Sequence, residues 1–218
     1  MLLILFGRIG QFLLAFAGIR LATTLLTPAE MGRMALVLAI TSGFALTLVN
    51  PVGMFINRRL HAWELLGRAT GYLGLYWLYL ALVSVASVVI LYAGVAFGLI
   101  DIGASAGWLI VLVSGSLLFN TINQTYIPSL NLLGHPKWFV ALTLTTQGLS
   151  LIIAVIFVLY GSANAEHWLL GLLAGQAVLG LVGMRVFDKL IGRDEKQLPP
   201  DPLGRKYRSA LLRFAWPV

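Results

Sequence analysis

The sequence predicts an all-α polytopic membrane bundle of six transmembrane helices plus the start of a seventh, and three observations carry that prediction. Hydrophobic residues make up 59% of the 218 and charged residues only 11%, with a mean hydropathy of +0.91, whereas a soluble domain carries about 25% charged residues. Apolar runs of about 20 residues, the length that crosses hydrocarbon as a helix, recur along the chain between short polar breaks. The Lys and Arg residues gather in alternate breaks, as the positive-inside bias requires of a chain that crosses back and forth. A membrane β-barrel would instead need ~10-residue segments of alternating polarity, and residues 149–160 are apolar on every side.

The first helix is expected over 2–26, stopping at Thr27-Pro28-Ala29-Glu30, where Pro28 cannot continue it. Ala15-Phe16-Ala17 has the small-residue spacing of a signal-peptidase site. No basic segment precedes the apolar run, however, and Arg8 interrupts it, which favours a membrane helix. The second helix covers 31–56, and 57–70 reads as a polar connector with Arg58, Arg59, His61, Glu64 and Arg68. A third helix covers 71–99, a break follows at 101–107, and a fourth runs over 108–133. The turn Gly134-His135-Pro136-Lys137 leads to a fifth at 138–160, and 161–166 separates it from a sixth at 167–187. Residues 1–188 thus make one N-terminal transmembrane lobe. Residues 189–208 make a cytoplasmic linker around Pro199-Pro200-Asp201-Pro202, and 209–218 open a second lobe that stops too soon to span.

The basic residues assign the sides. The connector at 57–70 holds three Arg, the turn at 134–137 holds Lys137, and 185–213 holds eight Lys and Arg, while the intervening breaks carry Glu30, Asp101, Glu166 and His167. This sets the N-terminus in the cytoplasm, because a helix more or fewer would put every later connection on the wrong side. The net charge of +7 therefore concerns membrane orientation, and no interleaving of basic and aromatic residues calls for nucleic acid. Cysteine is absent, which excludes disulfides, thiolate metal sites and cysteine nucleophiles. His61, His135 and His167 fall in three separate connections, with no His-Glu-x-x-His spacing and no P-loop. No catalytic residue, metal site or cofactor is expected, and a membrane-embedded enzyme is not the reading.

Four stretches suggest a family. Arg20-Leu21 followed by Thr27-Pro28-Ala29-Glu30-Met31-Gly32 resembles the Arg, Leu, Pro-x-Glu-x-Gly signature linking the first two helices of polysaccharide flippases. These belong to the multidrug/oligosaccharidyl-lipid/polysaccharide exporter superfamily. Asn50-Pro51-Val52-Gly53 with Asn57-Arg58-Arg59 resembles the end of their second helix. Asn131-Leu132-Leu133-Gly134-His135-Pro136-Lys137 resembles their turn between helices four and five, and Phe214-Ala215-Trp216-Pro217 the start of their seventh. The resemblance implies the N-terminal one of two lobes around a cavity that opens alternately to each side. The cargo it implies is a polyprenyl-pyrophosphate-linked oligosaccharide, such as a lipid-linked O-antigen, crossing the bacterial cytoplasmic (inner) membrane for cell-surface polysaccharide synthesis. The partners it implies are that lipid-linked oligosaccharide, membrane lipid and a C-terminal lobe of the same protein.

Arg20 lies 18 residues into the first apolar run, where an arginine costs about 2.5–3.5 kcal/mol on insertion scales. Either it faces a wet cavity and offers paired donors to a pyrophosphate, or it snorkels outward or pairs with Glu30. Arg8 is turned about 120° away from it and reads as an interfacial anchor. Ser116, Asn120, Asn123, Gln124 and Asn131 form one polar stripe on the fourth helix, and Thr143, Thr146, Gln147 and Ser150 a smaller one on the fifth. Amides in hydrocarbon need partners. Asn120, Asn123, Gln124 and Gln147 are candidates for binding sugar hydroxyls, with hydrogen bonds between helices as the competing reading. Pro51 and Gly53 are hinge candidates, against a static kink. Gly171 and Gly175 predict close helix packing. All eight acidic residues lie in connections or near helix ends. A cation-coupled multidrug exporter of the same superfamily, which would want a buried carboxylate, is therefore the second reading, and a structural membrane protein the third.

Overall fold

The structure, a computed structural model, describes residues 2–98 and 106–191. Six helices occupy them: α1 (Leu2–Leu25), α2 (Pro28–Leu65), α3 (Ala69–Ala96), α4 (Ala106–Leu132), α5 (Pro136–Tyr160) and α6 (Ala165–Ile191). All but α4 are long and apolar enough to cross a membrane, so the chain is a multi-pass membrane protein. The shortest of these five has 24 residues, about 36 Å at 1.5 Å per residue against a hydrocarbon core of about 30 Å. α4 is 27 residues long but carries Asn120, Asn123, Gln124 and Asn131. The start of a seventh helix and nearly all of the expected linker lie outside the described residues. Positions 189–191, expected in that linker, continue α6.

The connections follow local chemistry. Thr27 caps α2, its hydroxyl accepting from the Glu30 N–H, with Pro28 as the first helical residue. At the far end, Gly67 takes φ 65°, the Gly67 N–H donates to Glu64 O, and the Arg68 N–H donates to Trp63 O. That is a glycine-terminated helix cap which a Cβ would strain. Gly134 closes α4 in the same way, with the His135 N–H on Leu130 O. Asn164 caps α6 by accepting from the His167 N–H at 2.9 Å.

One expectation is corrected. Residues 57–65 are not a connector but the continuation of α2, and only Leu66 to Arg68 turn the chain. The physical reason is a buried stripe of Val52, Phe55, Ile56, Leu60 and Trp63 at helical spacing. Arg58, Arg59 and His61 take the exposed side of the same turns.

The tightest pair is α5 and α6. A Cβ on Gly171 or Gly175 would overlap the backbone of Ala154 or Ser150, so these glycines set the approach of the two helices. Farther along α6, Gly180 and Gly183 face Asn123 and Ile127 of α4. α1 docks on α5 through Gly7 and Gly10, opposite Val140 and Leu144. Its other side, with Leu2, Phe6, Ile9, Leu13 and Phe16, is exposed.

α2 is not uniform. Ala45–Val49 forms a π-helical turn, with the Asn50 N–H bonded five residues back to Ala45 O. Pro51 follows at once. A proline ring clashes with the carbonyl four residues earlier, here Thr47, and a widened turn relieves that clash. Tyr79 of α3 donates its hydroxyl to the Leu48 carbonyl at 2.6 Å, so the widened turn has a donor from outside its own helix.

Candidate functional site

Two adjoining cavities open inside the bundle. The first, about 740 Å³, is walled by α1, α2, α4, α5 and α6. Asn120, Asn123, Gln124 and Asn131 of α4, Thr143, Thr146, Gln147 and Ser150 of α5, and Gln176 of α6 supply its polar lining. The second, about 550 Å³, lies against the middle of α2, with α4, α6 and Tyr76 opposite. Asn120 and Gln124 line both, and the Gln124 Nε2 donates to Asn120 Oδ1 at 3.2 Å. One rung of α4 therefore stands where the two spaces meet.

The amide stripe on α4 thus joins the stripe on α5, and Asn120, Asn123, Gln124 and Gln147 share one wall. Both readings of these amides hold together at Asn123. Its Nδ2 donates to Phe119 O at 2.9 Å and across helices to Gln176 O at 2.7 Å. Its Oδ1 has no partner among the described residues, nor do the hydroxyls of Thr146 and Ser150. These three residues are 9%, 7% and 3% exposed, and an unpaired buried polar atom costs about 1–3 kcal/mol. Other hydroxyls in the bundle instead donate to the carbonyl four residues back, as Thr143 does to Phe139 O and Ser129 to Thr125 O.

The two arginines are both exposed but differ in what they border. Arg20 is exposed, lines neither cavity, and shares the outward side of α1 with Ile9, Leu13 and Phe16. Thr23 and Thr24 donate to its carbonyl, while its guanidinium has no partner among the described residues. Glu30 does not pair with it. The Glu30 carboxylate takes Arg33 at 2.8 Å on one oxygen and the Ala165 N–H at 2.8 Å on the other, tying the start of α2 to the N-terminus of α6. Arg8, read from sequence as an anchor, lines the first cavity and is the single charged side chain among its lining residues. It donates to Gln11 Oε1 at 3.2 Å and lies over the Phe139 ring at 5.9 Å. The 120° between the two arginines was calculable. Which of the two directions faces α5 was not, and the only signal was Gly7 beside Arg8, a small residue that admits a neighbouring helix.

Pro51 sits two residues past the π segment, and Gly53 lines the second cavity with Tyr76 Oη 3.2 Å from where its Cβ would stand. Pro128, inside α4 and on the first cavity, carries no N–H for the Gln124 carbonyl. Among the described residues, no three His, Asp or Glu side chains come together as metal ligands. The arrangement offers hydrogen bonds and one positive charge to a guest. No protein-family model, no curated protein and no solved structure matches this chain.

Proposed function

We propose that the chain is the N-terminal lobe of a flippase that carries a polyprenyl-pyrophosphate-linked oligosaccharide across the bacterial cytoplasmic membrane, with its N-terminus in the cytoplasm. The observation that supports this reading best is the first cavity. Its wall of amides and hydroxyls continues through Asn120, Gln124 and Gln176 into the second cavity, and together they suit the alternating donors and acceptors of sugar hydroxyls. Arg8, near the cytoplasmic end of α1 in this orientation, supplies a planar guanidinium for phosphate oxygens. Among the described residues no acidic side chain lines either cavity, which weighs against a cationic drug as cargo. Arg20 then serves the outer surface, its stem on apolar neighbours and its head toward lipid phosphate.

The test is export in cells whose own flippase has been deleted, complemented by the gene that encodes this chain. Arg8→Ala is expected to abolish surface glycan at near-normal membrane abundance, and Arg8→Lys to keep part of it, because lysine keeps the charge but loses the bidentate geometry. Arg20→Ala is expected to export normally. Normal surface glycan with Arg8→Ala would overturn the role given to the cavity arginine.

A further inference from the structure

The two cavities differ in charge. Arg8 is the one charged group among the lining residues of the first, and the second has none. The second is nevertheless polar. Asn50 and Asn57 of α2 and Ser116 and Thr121 of α4 all line it, and none makes a side-chain hydrogen bond among the described residues. Two amides and two hydroxyls are thus free, from opposite walls, in a space of about 550 Å³.

From this division we infer that the second cavity is the subsite for the sugar portion of the cargo, and that it selects uncharged sugar units over acidic ones. The inference rests on the flippase reading above. Sugar hydroxyls entering the second cavity exchange water for four unengaged protein groups, so their hydrogen bonding is replaced. An ionised carboxylate, as in a uronic acid, would lose hydration there and find no cation among the described residues that line it. The Asn120–Gln124 rung is the boundary between the two portions, with the pyrophosphate on the Arg8 side and the glycan on the α2 side. Discrimination comes from an omission: the wall rejects charge by lacking its complement.

The experiment measures binding to the purified full-length protein in lipid nanodiscs, using three probes: bare polyprenyl pyrophosphate, the same lipid bearing N-acetylglucosamine, and the same lipid bearing glucuronic acid. The neutral glycolipid is expected to bind about tenfold or more tighter than the acidic one. Thr121→Lys, which puts a cation into the second cavity, is expected to narrow or reverse the ratio between the two glycolipids. Ser116→Lys serves the same end if the first variant fails to fold. Equal binding of the two glycolipids, or a ratio unmoved by a folded lysine variant, would overturn the inference and leave the flippase reading intact. Failure of all three lipids to bind would overturn both.

Discussion

The first cavity is bounded by two kinds of wall. On one side α5 and α6 meet through Gly171 and Gly175 with no room for a Cβ. On the other is α2, which lines the first cavity through Met31, Met34 and Leu38 and, farther along at the second, carries a π turn, a proline and a glycine within Ala45 to Gly53. Close packing transmits strain and permits few arrangements, whereas a π turn beside proline leaves backbone groups looking for partners. The contrast teaches that any opening of the cavities should be a movement of α2 against a rigid α5–α6 pair, with α4 and its amides held to α6 by the Asn123 bond to Gln176 O.

The largest expected effect comes from attacking the rigid wall. Gly171→Leu and Gly175→Leu insert four carbons where one already overlaps backbone, and overpacking of this kind costs at least about 1–3 kcal/mol. Loss of monodisperse protein in detergent size-exclusion chromatography is expected for both, and a monodisperse Gly171→Leu would show that the α5–α6 contact yields. A smaller effect is expected at the pliable wall. Pro51→Ala restores an N–H and removes the ring, so amides 45–52 should exchange with deuterium more slowly than in wild type while those of α6 stay unchanged. Equal exchange would mean that the π turn does not depend on proline. The smallest belongs to Tyr79→Phe. It removes the 2.6 Å bond to Leu48 O, worth about 0.5–1.5 kcal/mol, and should raise exchange at 45–52 by about 2- to 13-fold without affecting α5. An unchanged rate would place the restraint in the Tyr76–Tyr79 stack, whose ring centroids are 6.3 Å apart.

Much of this frame is legible in the sequence. Apolar length and the capping residues Thr27, Gly134 and Pro136 placed the ends of most helices within a few residues, because those ends depend on local chemistry alone. The extension of α2 through Leu65 was missed for a different reason. Arg58, Arg59 and His61 read as solvent, while the Val52, Phe55, Ile56, Leu60, Trp63 period that marks a helix was present in the same residues. Polarity outweighed periodicity in that reading, and periodicity is the better guide. The polar stripes on α4 and α5 could be read, since spacing determines a face. Their meeting at one cavity, and the placement of Arg8 rather than Arg20 on its lining, depend on how neighbouring helices are rotated. One chain's spacing does not contain that information. The π turn was equally hidden, for nothing in Ala45-Leu46-Thr47-Leu48-Val49 distinguishes a five-residue hydrogen bond from a four-residue one.

That turn also sets a phase. A π turn accommodates one residue more than an α-helix would, so the two halves of α2 are out of step by one residue, about 100° of rotation and 1.5 Å of rise. Closing the turn into a regular α-helix with every residue kept would turn everything beyond it by that angle, swinging Asn50 and Asn57 away from the second cavity and the buried stripe from Val52 to Trp63 off α3. Deleting one residue from 45 to 49 removes the additional residue instead, so a regular helix closes while the far half keeps its present facing. For this segment a one-codon deletion is therefore milder than in a regular helix, where it would rotate every later residue by about 100°.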